Sequence, residues 1–327
     1  MYITLLSFYI KSMNLRTHIP LRPARKQISY SEKIVLFGSC FSENIGDKLT
    51  YFQFQAIQNP FGILFHPKAI ENLVQQSIEK RTYTEKEVFF LNERWHCFAA
   101  HSSLSNPEKE VHVKRLNTTL EQTRKTIKSA DVVVITLGTA WVYRNIETKA
   151  IVANCHKVPQ KMFTKELLSV EEIRQSLQNI YTLCKGLNSS TRFILTVSPI
   201  RHIKDGFIEN QQSKSHLINA VHQFIKNKRD ASYFPSFEIM MDELRDYRFY
   251  KEDMIHPNTT AINYIWEKFS EVWIDTDAQK TMETVAAIQK GLAHKPFNPA
   301  SEKHQLFLKK LAQKKETLQQ AFPHMLF

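Results

Sequence analysis

Residues 33–44 read KIVLFGSCFSEN. After Lys33 comes a run of β-branched and apolar side chains, Ile34 to Phe37, closed by Gly38. Beyond the turn, Ile45, Leu49 and Phe52 recur at helical spacing. A strand therefore ends at Gly38 and a helix starts near Ser42, which is the opening of a β–α crossover. The reading repeats downstream. DVVVITLG (131–138) and TRFILTVSP (191–199) are unbroken apolar runs of strand length, as expected of strands covered on both faces. A short second strand is expected over 51–57. A last strand over 232–240 is placed at a sheet edge by Pro235. Helical patterns fill the gaps. Residues 113–130 carry Leu116, Leu120, Thr123 and Ile127 on one face, and 169–187 opens with the capping box Ser169/Glu172 and stops at Gly186. Further helices cover 213–228 and 257–273, the latter with Pro257 in its first turn. Strands alternating with helices predict a three-layer αβα fold around a mostly parallel sheet.

Three segments stand outside that pattern. EVFFLNERWHCFAA (87–100) reads as a hairpin turning at Asn92–Glu93, within an insertion near 87–103. From 276 to 327 two helices joined around KPFNP form a C-terminal helical extension. Residues 1–30 form an N-terminal extension, which leaves 31–275 as the α/β domain.

Composition narrows the class. The chain has 327 residues, 43% of them hydrophobic, enough for one large core. Its formal charge of +12 permits an anionic partner. The basic residues are scattered, however, and no RNP-type motif, zinc-finger spacing or helix-turn-helix signature occurs, so nucleic acid is not the expected partner. Cys40, Cys97, Cys155 and Cys184 form no CxxC and no metal ligand set, which points to reduced thiols in a cytoplasmic setting. The opening MYITLLSFYIKSMN has no basic leader or cleavage site and is too short to span a membrane. Met13 is an equally good start. No metal or organic cofactor is implied.

In parallel sheets, ligands bind beyond the carboxyl ends of the strands. The first, third and fourth buried runs end in GSC, LGT and SPIRH. A cysteine at a helix N-terminus is expected to have a stabilised thiolate and a lowered pKa. A serine there still needs a base. In EDMIHPN (252–258), Asp253 stands three residues before His256, a spacing that lets the carboxylate hold Nδ1–H and leaves Nε2 as a general base. NPFGILFHP (59–67) and TLGTAW (136–141) each put a glycine in a loop after a strand, where the backbone can approach a ligand closely. Each feature also has a bland reading: a buried thiol beside a capping serine, an N-capping aspartate, an ordinary turn glycine.

Taken in order, these motifs resemble known families. KIVLFGSCFSENIG is similar to block I of the SGNH (GDSL-type) hydrolases. It resembles more closely the GSCFA family, a bacterial group named for this motif. NPFGILFHP, TLGTAWVY, SPIRHIKDG, RDYRFY and EDMIHPN also resemble segments of that family, over roughly residues 14 to 320. The resemblance implies a flavodoxin-like SGNH-type fold. It puts Cys40 on the nucleophile position, Ser39 on the preceding aspartate and Ser42 on the following threonine. His256 takes the base role, Asp253 its orienting role, and Gly62 that of the backbone oxyanion donor. Block III departs from the SGNH pattern: Gly138-Thr139-Ala140-Trp141 has no asparagine, so Thr139, Asn59 or backbone N–H groups, including that of Gly138, have to substitute. Ser198, Arg201, His202, Asn210 and Lys214 are candidate substrate contacts, with Arg201 or Lys214 binding an anionic group. Trp95, His96 and His101 in the insertion are candidates for a lid or sugar platform.

The expected function is acyl transfer to water or a hydroxyl on an ester-bearing metabolite or saccharide. Cys40 attacks, and Ser39 or Ser42 is the rival nucleophile. The alternative is a non-catalytic module that binds an anionic glycan or nucleotide through Arg201 and Lys214.

Overall fold

The structure is a computed structural model in which residues 17–327 are described. The expectations about Met13 and the apolar run before it fall outside the described residues. In chain order the strands are β1 (Lys33–Gly38), β2 (Gln55–Gln58), β3 (Phe89–Leu91), β4 (Arg94–His96), β5 (Val132–Leu137), β6 (Trp141–Asn145), β7 (Ile151–Val152), β8 (Phe163–Leu167), β9 (Arg192–Val197) and β10 (Ala231–Phe234). The helices are α1 (Cys40–Tyr51), α2 (Pro67–Ile78), α3 (Lys109–Ser129), α4 (Val170–Leu187), α5 (Phe207–Ile225), the single turn α6 (Ser236–Glu238), α7 (Thr259–Trp273), α8 (Thr276–Leu292) and α9 (Glu302–Ala321). A π-helical turn, Ile239–Glu243, continues α6.

The central sheet has five strands, all parallel, in the order β10-β9-β5-β1-β2. Counted among sheet strands from the β2 edge, this is 2-1-3-4-5, and the order reverses between β1 and β5. That is the topological switch point, where doubly wound sheets bind ligands. Side chains of β1 and β5 alternate between two cores. Val35, Phe37, Val133 and Ile135 pack under α2, α3, α4 and α5. Ile34, Leu36, Val132 and Val134 pack under α1, α7 and α8. Every residue of β5 and β9 is buried, as their unbroken apolar runs predict. The C-terminal helices join the second core through Met282 and Val285, and Met325 closes it. The N-terminal stretch is tied in where Ile28 donates to Trp273 O and bridges Ile274.

Several element boundaries move. The first helix starts at Cys40, capped by Ser39, rather than near Ser42. It runs through Tyr51, so the second strand is confined to 55–58. Gly186 lies inside α4, which ends at the Asn188 cap. The helix expected over 213–228 begins at Phe207. The strand expected over 232–240 stops at Phe234, before Pro235, and it is an edge strand. The hairpin is as read: Phe90 pairs Trp95, and Asn92 and Glu93 both have positive φ, which fits a two-residue primed turn. Two elements had not been anticipated, α2 and a separate antiparallel sheet of order β7-β6-β8 over residues 141–167.

Candidate active site

The site is assembled where β1, β2, β5 and β9 end. Gly38 has φ +139, and a Cβ there would sit 2.1 Å from Thr136 O on the neighbouring strand. Only glycine lets the chain turn so tightly against β5. Ser39 donates its N–H to Thr136 O at 3.0 Å, and its Oγ accepts from Phe41 N–H at 3.3 Å. It is therefore a fully buried helix cap. Cys40 opens α1 half-buried. Its amide has no acceptor elsewhere among the described residues and faces its own sulfur, as does the amide of Phe41. Burial nevertheless pushes the thiol above its ordinary value, outweighing those amides and the charge of Lys214, and Glu43 adds to the rise. This corrects the expected lowered pKa: one helix end does not offset desolvation of the sulfur. Ser42 Oγ is buried and has no partner among the described residues.

Asp253 and His256 form the expected dyad. Asp253 Oδ2 lies 2.7 Å from His256 Nδ1, and its Oδ1 accepts from the amides of Ile255 and His256, both at 2.9 Å. Those three bonds hold Asp253 down to about 2. Met254, in the left-handed region at φ 54, makes the tight turn between them. Among the described residues no hydrogen bond joins Cys40 to His256. The loop after β9 holds the dyad loop: Arg201 N–H donates to Ile255 O at 3.2 Å, and Arg201 Nη1 to Met254 O at 3.0 Å.

The expected oxyanion donors fare unequally. Gly62 N–H is taken by Asn59 O at 2.7 Å, and the N–H groups of Gly138 and Thr139 both point to Phe65 O, at 2.8 and 3.2 Å. Thr139 Oγ1 meets Ser213 Oγ and accepts from Trp141 N–H. These three are engaged in shaping the loops, which corrects their assignment. Asn59 is different. Its Oδ1 accepts from Gly38 N–H at 2.9 Å, which fixes the amide orientation, and its Nδ2 is buried with no partner among the described residues.

The expected substrate contacts also divide. Ser198 is fully buried, and its Oγ accepts from Ile200 N–H. Asn210 is buried and accepts from His202 N–H at 2.8 Å. Lys214 is 1% exposed and donates to Gly138 O at 2.8 Å and Ser198 O at 2.7 Å. These three support the loops from behind and have no surface to offer a ligand. Arg201 lies among the rings of Phe207, Tyr247 and Tyr250, at 5.4, 5.7 and 5.5 Å, and clamps the dyad loop. It edges a cavity of about 460 Å³ that Tyr247, Tyr250 and Arg245 also line. His202 faces the turn: its Nε2 is buried and has no partner among the described residues, 3.1 Å from where a Cβ on Gly138 would stand. Ser39 Cβ is 3.2 Å from that point. Burial, with Lys214 and His256 nearby, brings His202 down to about 3, so it is neutral.

In the insertion, His96 bonds Leu91 O and Ser105 Oγ, and Trp95 is covered by Lys109 at 4.7 Å. His101 caps a short turn and packs against Gly62. Sequence reasoning missed Phe65, whose carbonyl holds the β5 loop and whose ring meets His202 edge-on at 5.8 Å. A backbone acceptor leaves no mark in the sequence. Among the described residues no group of three or more His, Cys, Asp or Glu side chains is arranged to hold a metal ion, and no helix is long and apolar enough to cross a membrane.

A family model described as GSCFA family matches residues 33–269, the whole span from β1 into α7. The chain belongs to the GSCFA family. A second model, described as GSCFA domain protein, C-terminal domain, matches residues 285–327, covering the end of α8 and all of α9. No curated protein matches the chain. The turn Gly38-Ser39-Cys40-Phe41-Ser42 lies within the matched span, seated at the switch point of the sheet.

Proposed function

We propose that this GSCFA protein is a thiol acyltransferase or acyl-ester hydrolase of SGNH type, acting on an ester-bearing metabolite or saccharide. One observation carries the reading: the half-buried Cys40 opens α1 at the switch point, and Asn59, bonded to Gly38 of the same turn, carries a buried Nδ2 with no partner among the described residues. Such donors are what a developing oxyanion needs. In this reading the thiol is held protonated at rest. His256, oriented by Asp253, takes the proton as sulfur attacks the acyl carbon, and the S–C bond forms as the carbonyl π electrons move to oxygen. The collapse expels the alkoxide, which His256 protonates. A water or hydroxyl acceptor then takes the acyl group by the same steps in reverse. Ser39 is less suited to attack, because it is fully buried and its oxygen caps α1. The binding-module reading keeps Arg201, which edges a cavity, but not Lys214, which is buried and donates to two carbonyls.

The test is intact-protein mass after mixing with an activated short-chain acyl ester. An adduct is expected in wild type and in Ser39→Ala, absent in Cys40→Ala and slowed in His256→Ala. An adduct lost in Ser39→Ala but kept in Cys40→Ala would move the nucleophile one residue earlier. No adduct with any activated donor tried would favour binding over catalysis.

A further inference from the structure

The segment after the π-helical turn is tied to the dyad loop. Tyr250 bridges Pro257, Lys251 N–H donates to His256 O at 2.8 Å, and Asn258 N–H donates to Phe249 O at 2.8 Å. Tyr247 and Tyr250 of this segment line the cavity of about 460 Å³ that Arg201 edges. The π-helical turn supplies more of the lining, including Asp242. That turn is closed by Leu244 N–H reaching five residues back to Ile239 O at 3.0 Å, a departure from α-helix that is frequent at functional sites. Two cations reach the cavity with no carboxylate in ion-pair distance among the described residues. Arg201 gives Nη1 to Met254 O, and its other side-chain donors meet no acceptor among the described residues. Arg245 is exposed. The two acids in the lining differ. Asp246 Oδ1 accepts from Arg248 N–H at 2.8 Å and lies 3.8 Å from Arg248 Nε. Asp242 is exposed and makes no hydrogen bond or ion pair among the described residues. Tyr247 is 63% exposed, so much of its ring is open.

We propose that this cavity is the acceptor subsite, and that it takes a sugar ring bearing a carboxylate or phosphate: the anion on Arg201 and Arg245, the ring against Tyr247, a hydroxyl on Asp242. The assignment rests on the acyl-transfer reading above, with His256 as its base. Guanidinium forks match the oxygens of either anion. A tyrosine offers an apolar face and a polar tip, which suits a sugar with C–H faces and hydroxyl edges. The volume falls inside the range of small-ligand sites, about 300 to 1,000 Å³. Other acceptors fit less well. An apolar one would leave Arg201, Arg245 and Asp242 facing surface that cannot hydrogen-bond. A polyanion would meet Asp242 and Asp246 in the lining. The same Arg201 that faces the cavity bonds Met254 O and Ile255 O, the two residues before His256, and this fixes the subsite relative to the base.

The experiment is a ligand-detected NMR titration of the full chain with glucuronate, a glucose phosphate ester and glucose. It is run on wild type, Arg245→Gln, Tyr247→Ala and Cys40→Ala, each with a melting curve. Arg201 is left intact because it also holds the dyad loop. At least one charged sugar is expected to bind wild type about tenfold or more tighter than glucose, and the tighter of the two identifies the anion. Arg245→Gln should weaken that sugar about tenfold, and Tyr247→Ala should weaken it too. Cys40→Ala should bind as wild type does. Arg245 and Tyr247 are both exposed, so their variants should melt with wild type. Equal affinity for glucose and the charged sugars overturns the proposal. So does an affinity unchanged in both Arg245→Gln and Tyr247→Ala, or no binding of any sugar at about 10 mM. Sugar binding with no acyl adduct on Cys40 would remove the acyl-transfer reading and leave the sugar site standing. An adduct without sugar binding would do the reverse.

Discussion

At the scale of single residues, the decisive side chain is Asn59. It has positive φ, a strain that Asn tolerates better than most residues, and it accepts from the glycine that makes the GSCFA turn. Its amide nitrogen is a buried donor with no partner among the described residues. Replacing Asn59 with Asp keeps the acceptor for Gly38 N–H and removes that donor. If Asn59 Nδ2 stabilises the oxyanion, the acylation rate should fall by about 100-fold or more, as for other single oxyanion donors. The readout is adduct formation against time, and a rate within threefold, roughly, of wild type would remove Asn59 from the mechanism. Cys40, Asp253 and His256 were legible in the sequence because side chains of the right chemistry stood at the ends of readable elements. The engagement of Gly62, Gly138 and Thr139 was not, because their acceptors are carbonyls of Asn59 and Phe65, and every residue has a carbonyl. Lys214 was misread for a related reason. Lysines are nearly always exposed, and only the path of α5 shows this one to be inside.

At the scale of elements, β1, β5 and β9 could be read directly, since a parallel strand covered on both faces must be apolar throughout. The β7-β6-β8 sheet could not. In β6 and β8, buried residues are interspersed with half-exposed ones in no strict alternation, so neither a strand period nor a buried run emerges. α2 did carry a signal, with His66 as cap and Pro67 at its first turn, but the loop motif before it drew the reading away. The start of the sheet is locked by an ion pair between residues 160 positions apart, which no local pattern announces. Arg192, on β9, meets Glu32, just before β1, at 2.5 and 2.9 Å, with both side chains about nine-tenths buried. Burial alone would raise Glu32, yet the bonds and charge of Arg192 hold it below the ordinary glutamate range. Glu32→Gln leaves the guanidinium buried without its charge partner, so the expected loss is about 3 kcal/mol. Urea unfolding at neutral pH measures it, and a loss under about 1 kcal/mol would mean the pair is solvated in practice.

At the scale of the whole molecule, the histidines set the acid limit. His66 caps α2 with Nδ1 and donates Nε2–H to Val152 O, so it is neutral by construction, and burial brings it down to about 4. His156 is likewise brought to about 4 and His202 to about 3. Each folded-state value lies below the unfolded value, so the unfolded chain binds the extra protons. The stability they contribute is complete above pH of about 6.5 and is lost as pH falls toward about 4, worth up to about 3 kcal/mol for His66 alone. Asp253, at about 2, stays charged throughout that window. Urea midpoints between neutral pH and about pH 4.5 should therefore fall, and fall less steeply in His66→Asn, which keeps a capping oxygen for Ala69 N–H. An unchanged slope would mean the protons bind elsewhere.

The burial of Cys40 reaches beyond catalysis, to the durability of the protein in air. Burial raises all four thiols: Cys40 in direction, Cys97 and Cys155 to about 11, Cys184 to about 12. Peroxide and disulfide exchange act on thiolates, so a resting chain that holds its sulfurs protonated offers oxidants little to attack. If Cys40 is the nucleophile, it is vulnerable only in the moments when a base draws off its proton, which would tie oxidative wear to turnover rather than to exposure time.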